Sequence, residues 1–318
     1  MPAIISTAPG KTILFGEHAV VYGHPAIAIP VREKHAKVKI FPAIGAPEGS
    51  IQFIAPQIEL KKEYKELEPH HPLKIALDEV KKFLKIDHYP ACRIQIETTI
   101  PISSCLCSSA AISVALIKGL FDFVGFSTTQ EVISNLAFQV EIEFHGFPSG
   151  IDNTVSAFNK PILFQKNKPH EFIRPGGEFS ILIADSGIKG NTKTAVSEVR
   201  DRWQKKPEEF NNYFEKIGEI VFAARRMIEA GKAVELGKLM IANQQILEKI
   251  GVSHPIIEKL IDISMSNGAL GAKLCGGGLG GNVIALVEEN KASSIAETLK
   301  KVGAVDVIHI HLNTDYTQ

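Results

Sequence analysis

Three observations predict an α+β fold of two domains, strand-rich first and helix-rich second. The chain has 318 residues, and a domain typically holds about 100–200. Short segments in its first hundred residues alternate apolar and polar side chains, as half-buried strands do. From Thr194 to Ser266 strong helix formers dominate, and Pro207 and Pro255 stand where prolines open helices. Ile181 to Asp185 reads as a short buried strand and as the junction, giving domains of 1–180 and 181–318.

Taken in order, Ala3 to Ser6 reads as a strand, Pro9-Gly10 as a turn, and Ile13 to Phe15 as a short apolar segment before the polar loop Gly16-Glu17-His18. Ala26 to Pro30 and Ala36 to Phe41 read as separate strands, the second alternating Lys37 and Lys39 with Val38 and Ile40. Phe41 to Pro56, broken by Pro42, Gly45, Pro47 and Gly49, reads as loops and short strands. Pro72 to Ile86 spaces Leu73, Ala76, Leu77, Val80, Phe83 and Leu84 as an amphipathic helix. Arg93 to Thr98 alternates as a strand. Ala110 to Ile117 is apolar nearly all round and so predicts a buried helix. A second helix covers about Thr129 to Phe144. The chain closes with a glycine loop at 276–281, a strand Val283 to Val287, a helix to about Val302 and a strand Val305 to Leu312.

Composition narrows the function classes. Hydrophobic residues make up 45% and charged residues 22%, which excludes a disordered or collagen-like chain. Lys+Arg and Asp+Glu are both 35, so the cation excess that phosphate neutralisation demands of a general nucleic-acid or acidic-membrane binder is missing. No run approaches the roughly 18 apolar residues of a membrane span, and the start has no basic n-region. Four cysteines, two of them at 105 and 107, do not make a secreted disulfide framework for this length. The expectation is a cytoplasmic protein.

Two phosphate-binding motifs fail on inspection. Gly10-Lys11-Thr12 resembles a P-loop tail, but Ile5 stands where the leading glycine belongs. Gly276 to Gly281 contains the letters of a dinucleotide fingerprint, but it opens a strand rather than a helix. The segment Ser103-Ser104-Cys105-Leu106-Cys107-Ser108-Ser109 is better placed, since it joins a strand to a buried helix. The unpaired amides of a first helical turn carry the positive end of the helix dipole and bind anions. Its serines add donors, and one of them could hold Mg²⁺ between phosphates; a plain helix cap would also use Ser108 or Ser109. Lys11 is a flexible cation beside the Pro-Gly pair. Glu141 lies eleven residues before Asp152 (152 − 141), a spacing that lets one carboxylate hold a metal while the other meets a substrate hydroxyl. His309 and His311 share one strand face as a zinc pair would, but the sequence shows no third ligand.

Together these residues resemble the GHMP small-molecule kinases. Ala8 to Gly23 is similar to that family's first signature, and its His18-Ala-Val-Val-Tyr-Gly23 ending resembles the mevalonate-phosphorylating branch rather than the galactose one. Ser103 to Ala111 resembles the family's phosphate loop, His145 to Asn153 its segment with the catalytic aspartate, and Lys273 to Gly281 its third signature. Asn191-Thr192, Val199 to Arg202 and Asn243-Gln244 also fit. The resemblance implies a GHMP kinase-like fold with an N-terminal nucleotide domain, a helix-rich C-terminal domain and the active site between them. It implies ATP-dependent phosphorylation of the primary hydroxyl of mevalonate, a step toward isoprenoid precursors. Asp152 and Lys11 would be catalytic, Glu17, His18, Ser149 and Thr192 would line the substrate, and residues 103–109 would bind ATP. Ser109 and Glu141 would hold Mg²⁺. Partners would be mevalonate and ATP, with no nucleic acid or membrane, and a homodimer is the candidate assembly. Alternatives are another hydroxy-acid acceptor (phosphomevalonate or homoserine) or a catalytically weak ligand-binding relative.

The sequence departs from the family at four positions. Cys105, Cys107 and Leu279 replace glycines, and Cys275 replaces a threonine. A Cβ and a sulfur in the phosphate loop should crowd the nucleotide or force another path. A thiol at a helix N-terminus beside a lysine should also have a depressed pKa and react with alkylating agents.

Overall fold

The computed structural model describes residues 3–101, 106–145 and 148–317, in two compact units. Among the described residues the first unit comprises 3–11, 30–101, 106–145 and 148–159, and the second comprises 12–29 and 160–317. Both units are discontinuous in sequence.

Two long strands account for that discontinuity. β1 (Ile4–Phe15) and β2 (Ala26–Pro42) are each continuous, where the sequence suggested broken pieces. The turn expected at Pro9-Gly10 does not form. Both residues stay in the strand, where the Pro9 carbonyl accepts the Ser156 hydroxyl at 2.9 Å and the Lys11 amide donates to the Leu106 carbonyl at 3.1 Å. A Cβ on Gly10 would lie 3.0 Å from that carbonyl, so this glycine serves close approach rather than a turn.

The rest of the first unit is β3 (Ile51–Ala55), β4 (Leu60–Glu63), α1 (Pro72–Leu84), β5 (Cys92–Thr98), α2 (Ser108–Val124), α3 (Gln130–His145) and α4 (Ile151–Phe158). Its strands lie in the order β4-β3-β5-β2. The apolar positions fall in register, with Val38 opposite Ile96, and Ile94 between Ile40 and Phe53. α1 buries Leu73, Ile75, Ala76, Leu77 and Val80, each leucine, isoleucine or valine contributing on the order of 1.5–3 kcal/mol when fully buried. Pro72 opens it, and His71 Nδ1 accepts from the Leu73 amide. Helix α2 meets β1 where Gly119 leaves room for Ser6, whose hydroxyl donates to the Ala115 carbonyl at 2.6 Å.

The second unit adds β6 (Ile162–Phe164), β7 (Glu171–Phe172), β8 (Phe179–Asp185), α5 (Thr192–Lys205), α6 (Pro207–Glu229), α7 (Ala233–Ile250), α8 (Pro255–Ser266), β9 (Gly271–Cys275), β10 (Asn282–Val287), α9 (Glu289–Lys301) and β11 (Asp306–Leu312). An antiparallel sheet runs β11-β8-β10-β9, with Ile183 between Ile284 and Ile308. Pro207 and Pro255 open α6 and α8 as their placement predicted. No helix among the described residues is long and apolar enough to cross a membrane.

Helix α7 crosses β9 almost backbone to backbone. A Cβ on Gly237 would lie 2.2 Å from the Leu270 carbonyl oxygen, and one on Gly271 would lie 2.2 Å from the Gly237 oxygen. Neither obstacle is a flexible side chain, so the helix itself would have to shift. Gly237→Ala is expected to destabilise the protein by about 1–3 kcal/mol or more, read as a lower denaturant midpoint; an unchanged midpoint would refute this packing.

Candidate active site

Three segments of the first unit meet at Lys11. Its ammonium pairs with Asp152 Oδ1 at 2.6 Å, with the lysine side chain 6% exposed and the aspartate 33%. On the other oxygen, the Cys107 thiol donates to Asp152 Oδ2 at 3.0 Å. Burial alone would lower the Lys11 pKa, but the Asp152 carboxylate, with a smaller contribution from the Cys107 sulfur, raises it and holds the amine charged.

The backbone explains why these groups converge. Asp152 occupies the first turn of α4, whose N-cap Gly150 is left-handed at φ 89°, a conformation glycine adopts without steric cost. Buried Asn153 donates from Nδ2 to the Ser134 carbonyl and hydroxyl at 3.0 and 2.9 Å, tying α4 to α3. The Ser156 bond to Pro9 ties the same helix to β1, one turn after Asp152 and two residues before Lys11. Cys107 is the N-cap of α2, placing the first-turn amides and the half-buried Ser108 and Ser109 beside the pair. Glu141 is buried on α3, which packs against α2. Ser149 is exposed, and its hydroxyl accepts from the Ile151 amide at 3.3 Å. Ser103, Ser104 and Cys105, and the side chain of His145, lie outside the described residues.

Cys107 stands where the family is expected to have glycine and takes a left-handed conformation itself, at φ 57°. Its pKa, however, is not depressed as expected. Burial, and then the Asp152 charge, push it well above the ordinary thiol value, and Lys11 offsets this only in part. The neutral thiol is also the form that can donate to Asp152. Reactivity of Cys107 toward iodoacetamide should therefore be low at pH 7 and still rising above pH 9; mass spectrometry showing fast labelling at neutral pH would overturn this.

The second unit holds the other candidates. Glu17 and Lys273 form an ion pair with both side chains 0% exposed, and Lys273 also donates to the Leu274 carbonyl at 2.6 Å. Glu17 is thus buried against a cation of β9. Lys273 was missed as a functional residue, although a lone lysine in the apolar run Gly271-Ala-Lys-Leu-Cys275 signals a buried paired charge. His18 has an unusual backbone (φ 61°, ψ −48°) and shares a 2.9 Å hydrogen bond between Nε2 and the Gly277 carbonyl. A carbonyl only accepts, so Nε2 carries the proton. Burial, and to a lesser extent Arg202, lower the imidazole pKa, while the Gly277 bond works in the opposite sense. Thr192 is exposed at the start of α5, and a Cβ on Gly277 would come 2.9 Å from its Cα. Cys275, where the family is expected to have threonine, donates its thiol to the Ile13 carbonyl at 3.1 Å and lies 2.8 Å from the Thr12 hydroxyl. Leu279, like Cys107, takes a left-handed conformation in place of glycine, at φ 57°.

The Glu17–Lys273 pair predicts a stability signature. Removing one partner strands the other charge, so Lys273→Met alone should cost about 3–5 kcal/mol, whereas Lys273→Met with Glu17→Leu should recover most of that. Denaturant melts of the double-mutant cycle read the coupling; additive losses would mean the two residues do not act as a pair.

Comparison with known proteins identifies the family. The GHMP kinases N terminal domain matches residues 72–160, and the GHMP kinases C terminal domain matches residues 224–305. A mevalonate kinase of Thermococcus sibiricus is 32% identical over 96% of this chain and 95% of its own length. Among solved structures, Methanococcus jannaschii mevalonate kinase superposes with a TM-score of 0.83 at 26% identity, covering 98% of both chains. L. major mevalonate kinase in complex with R-mevalonate superposes at 0.82 and 27% identity, covering 99% of this chain and 96% of that one. Two family domains in the right order, and a relative of this identity along nearly the whole length, make the chain a member of the GHMP kinase family.

Proposed function

We propose that this protein transfers the γ-phosphoryl group of ATP to the primary hydroxyl of mevalonate. The observation that carries the proposal is the Lys11–Asp152 pair beside the N-terminus of α2. Phosphoryl transfer needs little covalent work from a protein, and its catalysis is mostly positioning and charge neutralisation. The amides of the first turn of α2, with Ser108 and Ser109, receive phosphate oxygens. Asp152 accepts the proton of the attacking hydroxyl, or orients it, through the oxygens that Lys11 and Cys107 now occupy. Lys11, held protonated, neutralises charge as the phosphoryl group leaves ADP.

The hydroxyl of Ser109 and the carboxylate of Glu141 are oxygen donors of the kind a hard divalent cation takes. Mg²⁺ held by them would supply neutralisation of the nucleotide's phosphate charge. Ser149 and Thr192, both exposed, are assigned to the substrate. Glu17 and His18, both buried, act by holding their segment to β9 and to the glycine loop at 276–281. Mevalonate as acceptor rests on the relatives, whose names specify it and whose likeness extends along nearly the whole chain.

A coupled ADP-release assay with a panel of mevalonate, phosphomevalonate and homoserine tests the reading. Turnover should be fastest with mevalonate. Preference for another acceptor would refute the substrate, and calorimetric Mg–ATP binding without turnover on any would refute the activity. Asp152→Asn and Lys11→Met should each lower kcat by about 10²–10⁴, with circular dichroism unchanged. Turnover near that of the unmodified protein in either variant would remove the mechanism.

A further inference from the structure

The two histidines that the sequence left without a third ligand gain one in the fold. His309 and His311 stand at alternate positions on β11, the outer strand of the second unit's sheet, so their side chains leave the same face. Glu289, the first residue of α9, reaches that face from another element. One Glu289 oxygen, Oε2, lies 3.1 Å from His311 Nε2 and 3.5 Å from His309 Nε2. One ligand atom from each of the three residues falls within 4.8 Å of the others. A tetrahedral zinc ion with bonds of about 2.0–2.2 Å holds its donors about 3.3–3.5 Å apart, close to the two separations seen here.

We propose that Glu289, His309 and His311 form a binding site for a divalent transition-metal ion of the zinc class, with a fourth position open to water. Ser180, opposite His311 on β8, places its hydroxyl 2.6 Å from His309 Nε2, so an ion would take that nitrogen over from the hydroxyl. Two imidazoles and one carboxylate suit zinc, nickel or copper rather than magnesium or calcium. His311 and Glu289 are exposed and His309 is half-buried, so an ion has a way in. The ion would tie the start of α9 to the last strand. Its three residues belong to the second unit, and Lys11 and Asp152 to the first.

The test uses the untagged full chain, stripped with EDTA and dialysed, without nucleotide. Zinc chloride is titrated at pH 7.5 against a chromophoric chelator. The unmodified protein should take up one equivalent that excess Mg²⁺ does not displace, and its melting temperature should rise with zinc. His309→Ala with His311→Ala should abolish that equivalent and the thermal shift, and Glu289→Gln should weaken binding at least tenfold. Equal melting temperatures of all variants in EDTA show that folding is intact. Should one of them melt lower in EDTA, His311→Asn, at an exposed position, replaces it and should weaken binding at least tenfold. Zinc uptake by the double variant equal to that of the unmodified protein, or no uptake by the latter, overturns the proposal.

Discussion

An ammonium taken almost wholly out of water is tolerable only with a carboxylate against it, and Lys11 has Asp152 at 2.6 Å. That requirement organises the first unit. β1 has to run straight through Pro9-Gly10, Gly10 has to remain without a side chain so that the Leu106 carbonyl can reach Lys11, and α4 has to be anchored at both ends. The pair stands charged and oriented before any ligand arrives. Electrostatic catalysis gains most from groups that need no rearrangement during the reaction.

Cys107 and Leu279 occupy the left-handed region at φ 57° each, where a side chain costs on the order of 1 kcal/mol or more. At Cys107 the added side chain gains a partner, since its thiol donates to the carboxylate that Lys11 holds. The loop thus exchanges local strain for one more contact on Asp152.

Much of this was legible in the sequence because the relevant signals are local. Prolines marked the starts of α6 and α8, apolar alternation marked β5, and the all-round apolar run marked α2. The Pro9-Gly10 pair misled because its turn preference is overridden by contacts more than ninety residues away in sequence, the Ser156 hydroxyl donating to the Pro9 carbonyl and the Leu106 carbonyl accepting from the Lys11 amide. The short helix α4 was hidden by its opening glycine and its mixed composition. β9 was obscured by Lys273, a charge in a strand whose partner, Glu17, is not a neighbour in sequence. The Cys107 pKa was misjudged for a similar reason. Helix end and lysine were visible from spacing, while the burial and the Asp152 charge that outweigh them exist only after folding. His309 and His311 were recognised as a pair, but Glu289 joins them through tertiary structure alone.

The Glu17–Lys273 pair also has a consequence in time. Its members are separated by 256 positions, and a ribosome adds about 5–20 residues per second. The segment carrying Glu17 therefore emerges roughly 10–50 s before its counter-ion exists. Until then that acid stays hydrated at the surface of an incomplete chain, and the strand that will bury it is unmade. Completion of the second unit thereby waits until residue 273 has been made, so a nascent chain arrested before that residue presents its early segment, still unburied, to chaperones and proteases.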